Sequence, residues 1–198
     1  MAERVESITT LSPCKRYIAT HDANGKSVYT ESPPQQYAPV PNVGGVARSY
    51  SVSSVPAKLT GDEDMKAYLS KEGLTSWTQP AIVTPMGANL LVVDLASGGV
   101  SMMHRTVSID FSICTNGEID HELDGGQKVR LRPGVSASCG QMSGARLNTY
   151  SDQDHIVQRG TMHRWSNASQ TEPARFVAVT LSCEPFDIAG QQLEEQWR

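Results

Sequence analysis

The sequence predicts an all-β sandwich or barrel, and three observations carry that prediction. Short runs of apolar and β-branched residues recur along the 198-residue chain. Turn-forming clusters such as Asp22-Ala23-Asn24-Gly25, Thr115-Asn116-Gly117 and Asp124-Gly125-Gly126 separate them. One run, 106–113, alternates strictly between polar and apolar residues, the period of a strand with two different faces. This length supplies one domain with a real core, and two domains would stretch it.

Taken in order, 16–20 and 26–30 read as strands around the first turn. Residues 31–45, rich in proline and glycine, read as a surface crossing loop, and 46–53 as the next strand. Residues 62–72 predict a helix, with acids in the first turn, Met65, Tyr68 and Leu69 at helical spacing, and Gly73 just past the end. Strands follow at 89–95, 106–114, 118–123 and 127–131. The Asn116-Gly117 and Asp124-Gly125 dipeptides make 106–131 a predicted three-stranded meander. Segments 154–158 and 175–182 complete the strands, and 187–197 is a weaker helical candidate.

The chemistry concentrates on two of these segments. Alternation puts His104, Thr106, Ser108, Asp110 and Ser112 on one strand face, with Val107, Ile109, Phe111 and Ile113 on the other. A polar pocket within a packed frame is the expectation. The second segment runs Gln158-Arg159-Gly160-Thr161-Met162-His163-Arg164-Trp165-Ser166-Asn167, where His163, Trp165 and Asn167 share a face. Trp165 suits stacking on an aromatic substrate or packing in the core. His121 has the inward parity of its strand and reads as a structural imidazole. His21 and His155 read as surface residues, and Arg105 and Arg164 as surface charge.

The spacing of residues 98–117 matches G(X)5HXH(X)3E(X)6G, with Thr106 at the second His and Asp110 at the Glu. Residues 158–167 match PXG(X)2H(X)3N, with Gln158 in the Pro position. With both halves, the chain resembles the cupin superfamily over roughly 85–182. The variant wording is similar to the single-domain cupins found beside fungal polyketide synthases and labelled cupin-domain-containing oxidoreductases. The resemblance implies a single cupin jelly-roll barrel at 85–182, an N-terminal extension over 1–84 packing on it, and a tail over 183–198. By position it also implies His104, Asp110 and His163 as catalytic residues and metal ligands, with Thr106, Ser108 and Trp165 as substrate contacts.

Two imidazoles and one carboxylate suffice for a non-haem iron site with open positions, so iron leads, with zinc, manganese or nickel otherwise. No nucleotide cofactor is expected. Two readings compete with the metal. In one, a His–Asp pair serves as general acid and base, the carboxylate raising the imidazole pKa. In the other, the pocket only binds a ligand. The leading function is oxidation of an aromatic or polyketide-derived intermediate in fungal secondary metabolism. Metal-independent isomerisation, dehydration, decarboxylation or cyclisation is the runner-up.

A net charge of −4 without a basic stripe argues against nucleic acid. Nothing approaches the roughly 18 apolar residues of a membrane span, and residues 1–6 lack a signal-peptide core. Cys14, Cys114, Cys139 and Cys183 are scattered, as free thiols of a cytoplasmic protein would be. A small-molecule substrate and a homodimer, the latter on family analogy, are the expected partners.

Residues 135–153 are Gly/Ser-rich and lack strand periodicity. Joining Gly134 to Asp154 restores the expected approach to the second motif. Val135-Ser136 and Gln153 fit codons at the ends of a short intron, so translated intron sequence is the reading here, with a lid loop as its alternative.

Overall fold

Two antiparallel sheets are built from the segments that alternate or run apolar in the sequence. The structure is a computed structural model and describes residues 4–79, 81–134 and 153–198. Strands β1 (Ile18–His21) and β2 (Ser27–Thr30) pair as a separate ribbon. Then come β3 (Tyr37–Val40), β4 (Gly44–Val52), helix α1 (Glu63–Leu69), β5 (Ala88–Leu95), β6 (His104–Arg105) and β7 (Ser108–Asn116). They are followed by β8 (Ile119–Leu123), β9 (Lys128–Leu131), β10 (His155–Arg159), β11 (His163–Asn167) and β12 (Ala174–Ser182). The tail carries β13 (Asp187–Ile188), β14 (Gln191–Gln192) and β15 (Gln196–Trp197). One sheet has the order β10-β7-β12-β5-β4-β3, and the other β15-β6-β11-β8-β9.

The two sheets share one core. Leu91, Val93 and Leu95 of β5, Cys114 of β7 and Phe176 of β12 meet Ile119 of β8, Leu131 of β9 and Trp165 of β11. Trp165 stacks on Phe176 at 4.5 Å between ring centres. This is the all-β jelly-roll arrangement. No helix among the described residues is long and apolar enough to cross a membrane.

Several expectations need correction. The 106–131 meander does not form, because β7 is bonded by β10 on one edge and β12 on the other. With both edges filled, the chain turns at Gly117 into the opposite sheet, and only β8 and β9 make a hairpin. Gly117 has φ +68, and a Cβ there would lie 2.8 Å from that of Ala174, so the turn requires glycine. The 31–45 loop contains β3, an edge strand that tolerates Pro39 and buries Tyr37.

The 187–197 helix is absent. Ala189 and Gly190 both have positive φ and turn β13 back onto β14. Ile188, Leu193 and Trp197 lack the spacing of a helical stripe. The predicted 62–72 helix forms over Glu63–Leu69 and buries Tyr68, whose hydroxyl donates to Arg48 O at 2.8 Å. The apolar side of β7 faces outward rather than into a packed frame, with Phe111 and Ile113 partly exposed opposite β10.

Within the proposed N-terminal extension, β4 pairs with β5 and extends the six-stranded sheet. Residues 135–152 of the intron reading lie outside the described residues. The flanks meet: Asp154 N donates to Arg132 O at 2.9 Å, and Arg132 N donates to Asp154 Oδ2 at 2.8 Å.

A buried ion pair ties the N-terminal arm to this sheet. Arg175 of β12 donates Nε and Nη2 to Asp94 of β5 at 2.6 and 2.7 Å, and Nη1 to Ser12 O at 2.8 Å. Thr9 Oγ1 donates to the same carboxylate at 3.0 Å. Asp94 is fully buried, so removing its partner strands a charge away from water. Arg175→Met is expected to cost about 3–5 kcal/mol of unfolding free energy in urea denaturation.

Candidate active site

Antiparallel pairing sets His104 of β6 directly opposite His163 of β11, and His121 of β8 opposite Trp165. Asp110 of β7 and Gln158 of β10 are cross-strand partners in the other sheet. The chain passes between the two sheets at Gly160, which has φ +59 and donates its N–H to Ser108 O at 3.0 Å. A Cβ there would touch the Phe186 ring at 3.0 Å. That turn brings Gln158 and His163 face to face across the sheets.

The hydrogen bonds define each side chain's role. His104 Nδ1–H donates to Met102 O at 2.9 Å, and His163 Nδ1–H to Thr161 O at 3.0 Å. Backbone carbonyls therefore fix both tautomers and leave each Nε2 as an acceptor. The Gln158 amide nitrogen donates to His163 Nε2 at 3.2 Å and to Asp110 Oδ2 at 3.3 Å. Its oxygen accepts from His121 Nε2–H at 2.8 Å. The opposite amide orientation would aim oxygen at a carboxylate, which these contacts disfavour. Asp110 Oδ1 is buried and makes no hydrogen bond. His104 Nε2 also has no hydrogen-bond partner among the described residues.

Burial dominates the electrostatics and favours neutral forms. It pushes the Asp110 carboxyl up to about 6, against the Ser108 hydroxyl, which favours the charged form. It drives His163 down to about 3, helped by His104 and His121 and opposed by the Thr161 carbonyl. His104 and His121 are also lowered, chiefly by burial. The expected pair in which a carboxylate raises an imidazole pKa is not present. Gln158 stands between Asp110 and His163, and none of the three imidazoles bonds to Asp110 among the described residues.

The same arrangement bears on the expected metal ligands. His104, Asp110 and His163 do come to one end of the barrel. Among the described residues, however, no three His, Cys, Asp or Glu side chains are grouped so as to hold a metal ion. His163 Nε2 and Asp110 Oδ2 are both turned to the Gln158 amide N–H, while Asp110 Oδ1 and His104 Nε2 stay unbonded, so the donor set is partly engaged as it stands.

A cavity of about 510 Å³ opens onto His104, Asp110 and His163. Its walls are mostly apolar, from Val46, Leu91, Val93, Val100, Met102 and Phe176, with Thr106 and Ser112 adding hydroxyls. Of the three expected substrate contacts, Thr106 and Trp165 line this cavity. Ser108 does not: its hydroxyl is bonded to that of Thr106 at 2.8 Å. Trp165 serves core and cavity together.

Sequence reasoning missed three residues. His121 is fully buried within the histidine group, as its inward parity allowed. Gln158 joins the two sheets, and its unusual place in the second motif was the available signal. Trp197 of β15 stacks on His104 at 4.6 Å and 6° and lines the cavity. The helical reading of the tail hid it. As expected, His21 and His155 are exposed strand-end residues. Arg164 pairs with Glu122 at 2.8 Å, and Arg105 binds the tail at Glu194 O.

No protein-family model matches the chain. Phomopsin biosynthesis cluster protein D of Diaporthe leptostromiformis is 38% identical over 90% of this chain and 83% of its own length. Oryzines biosynthesis cluster protein J of Aspergillus oryzae is 32% identical over 91% and 89%. The cupin-domain-containing oxidoreductase srdB of Neurospora crassa is 30% identical over 90% and 79%. A solved cupin superfamily protein of Desulfitobacterium hafniense overlays 48% of this chain and 68% of its own at TM-score 0.36 and 13% identity, too loosely to carry chemistry across. The sequence motifs, the double-sheet barrel and these relatives converge: the chain belongs to the fungal cupin-domain-containing oxidoreductases of biosynthesis clusters.

Proposed function

We propose that this protein is a cytoplasmic enzyme of fungal secondary metabolism that moves a proton on an apolar, ring-containing intermediate held in the barrel. The observation that carries this reading is Asp110 Oδ1, which is buried at the cavity without a hydrogen-bond partner. A carboxyl titrating at about 6 takes or gives a proton near neutral pH without leaving its apolar surroundings. His104 Nε2 is the complementary acceptor. Both nitrogens of His163 are engaged, so it positions Gln158 rather than exchanging protons. Trp165 and Trp197 supply flat surfaces for an aromatic ring, and the apolar walls exclude water.

Isomerisation, dehydration, decarboxylation and cyclisation all fit this proton transfer. Oxidation is the second reading, favoured by the designation of relatives such as srdB as oxidoreductases. Its iron version requires His163 to exchange its amide donor for the metal.

We also propose that the outward apolar side of β7 and β10, with Phe111, Ile113 and Val157 partly exposed, is where two copies pair. Phe111→Lys should then shift the protein from dimer to monomer in sedimentation.

The reaction is tested with the intermediate that accumulates when the gene is deleted, supplied to purified protein with and without oxygen. Turnover should continue anaerobically, and Asp110→Asn should lower kcat about 10²–10⁴-fold. Stoichiometric oxygen consumption would establish the oxidative reading instead. Trp197→Ala should raise KM more than it lowers kcat.

Stability provides a second check. The raised Asp110 pKa contributes stability at low pH that is lost as pH rises through about 6. The lowered His163 pKa has the opposite sign, and stability is lost as pH falls below its unfolded value towards 3. The two oppose each other between about pH 4 and 6. Asp110→Asn removes the compensation, so its unfolding free energy should fall up to about 1.4 kcal/mol per pH unit more steeply there. Urea titrations across that range measure it.

A further inference from the structure

Gln158 is the only neutral side chain that touches all three of Asp110, His121 and His163 among the described residues. Its amide nitrogen lies 3.2 Å from His163 Nε2 and 3.3 Å from Asp110 Oδ2, which are hydrogen-bond lengths. A divalent cation held by those same atoms would need about 2.0–2.2 Å to each. The amide offers both a partially positive N–H, as a cation would offer charge. Its oxygen meanwhile engages His121 Nε2–H and holds that imidazole in the tautomer whose Nε2 carries a proton, which cannot ligate a metal. One side chain thus engages one donor atom on each of three potential ligands, with Asp110 Oδ1 left unbonded.

From this geometry we infer that Gln158 acts as a built-in substitute for a metal, and that removing its amide converts Asp110, His121 and His163 into a divalent-cation site. Gln158 also lines a second cleft, of about 660 Å³, together with His121, Thr161 and Val129. Truncating Gln158 therefore opens the cluster to ions from that side as well as from the main cavity. Gln158 is a positioning residue in this scheme. The inference does not depend on the reaction proposed above, because metal uptake is measured without substrate.

The test uses Co²⁺ and the full-length chain. Wild type, Gln158→Ala and Gln158→Glu are incubated with Co²⁺, desalted, and assayed for bound metal and for visible d–d absorption. Gln158→Glu keeps the side-chain shape but replaces the N–H donor with a second carboxylate oxygen, and Gln158→Ala leaves space. Near-ultraviolet circular dichroism checks that each is folded. Wild type is expected to retain well below one equivalent. At least one folded variant should retain about one equivalent per chain, with the absorption of mixed imidazole and carboxylate ligation, and lose it on adding His163→Ala. Stoichiometric Co²⁺ on wild type that disappears in His163→Ala would overturn the inference, since the amide would then yield to the ion. Folded variants that bind no more than wild type would overturn it too. If neither variant folds, Gln158→Asn, which withdraws the amide by one methylene, decides by the same readout.

Discussion

The hydrogen bonds of one side-chain amide connect the two sheets at the place where the ionisable groups gather. Gln158 and Asp110 belong to the six-stranded sheet, and His121 and His163 to the five-stranded one. Packing of apolar residues holds the sheets together elsewhere, but here the facing groups are polar and buried. Each needs a partner of complementary kind, because an unsatisfied buried polar group costs about 1–3 kcal/mol. Gln158 meets that need with a donor towards Asp110 and His163 and an acceptor towards His121. No charged side chain in its position could do both.

Burial then sets the protonation states. Three imidazoles in one small region would repel each other if charged, and desolvation adds to that repulsion. His163, the most crowded, is accordingly the most depressed. Asp110 is pushed the other way by burial, since the groups that bond it are neutral and one of its oxygens is bare. The site is therefore a set of near-neutral groups in an apolar cavity, with little charge to attract a charged substrate. That character agrees with a hydrophobic, ring-containing ligand.

The departures from the common cupin motifs belong together. Threonine at 106 removes a ligand, and its hydroxyl turns to Ser108. Aspartate at 110 shortens the carboxylate. Glutamine at 158 places an amide where proline would leave nothing. His121 and Trp197 come from outside the motifs, one from the hairpin strand β8 and the other from the tail strand beside β6. The relatives in fungal biosynthesis clusters place the chain in its family. These coupled substitutions are what distinguish its site from a four-ligand metal centre.

Much of this was legible in the sequence because it depends on short-range rules. Alternation along 104–112 put His104, Thr106, Ser108 and Asp110 on one buried face, and motif spacing paired them with His163. Turn residues located the strand ends. Whether Asn116-Gly117 closed a hairpin or crossed between sheets was not local information, because it depended on β10 and β12 occupying both edges of β7. The tail was misread for the same reason: what keeps Gln196-Trp197 extended is pairing with β6, some ninety residues earlier. The pairing of Gln158 with Asp110 likewise needed the register between β7 and β10. Sequence alone determined which residues share a strand face, since a strand's period of two is a property of the backbone. Only tertiary structure decided which inward residues touch and hence how they are protonated, since hydrogen bonding and desolvation depend on neighbours distant along the chain.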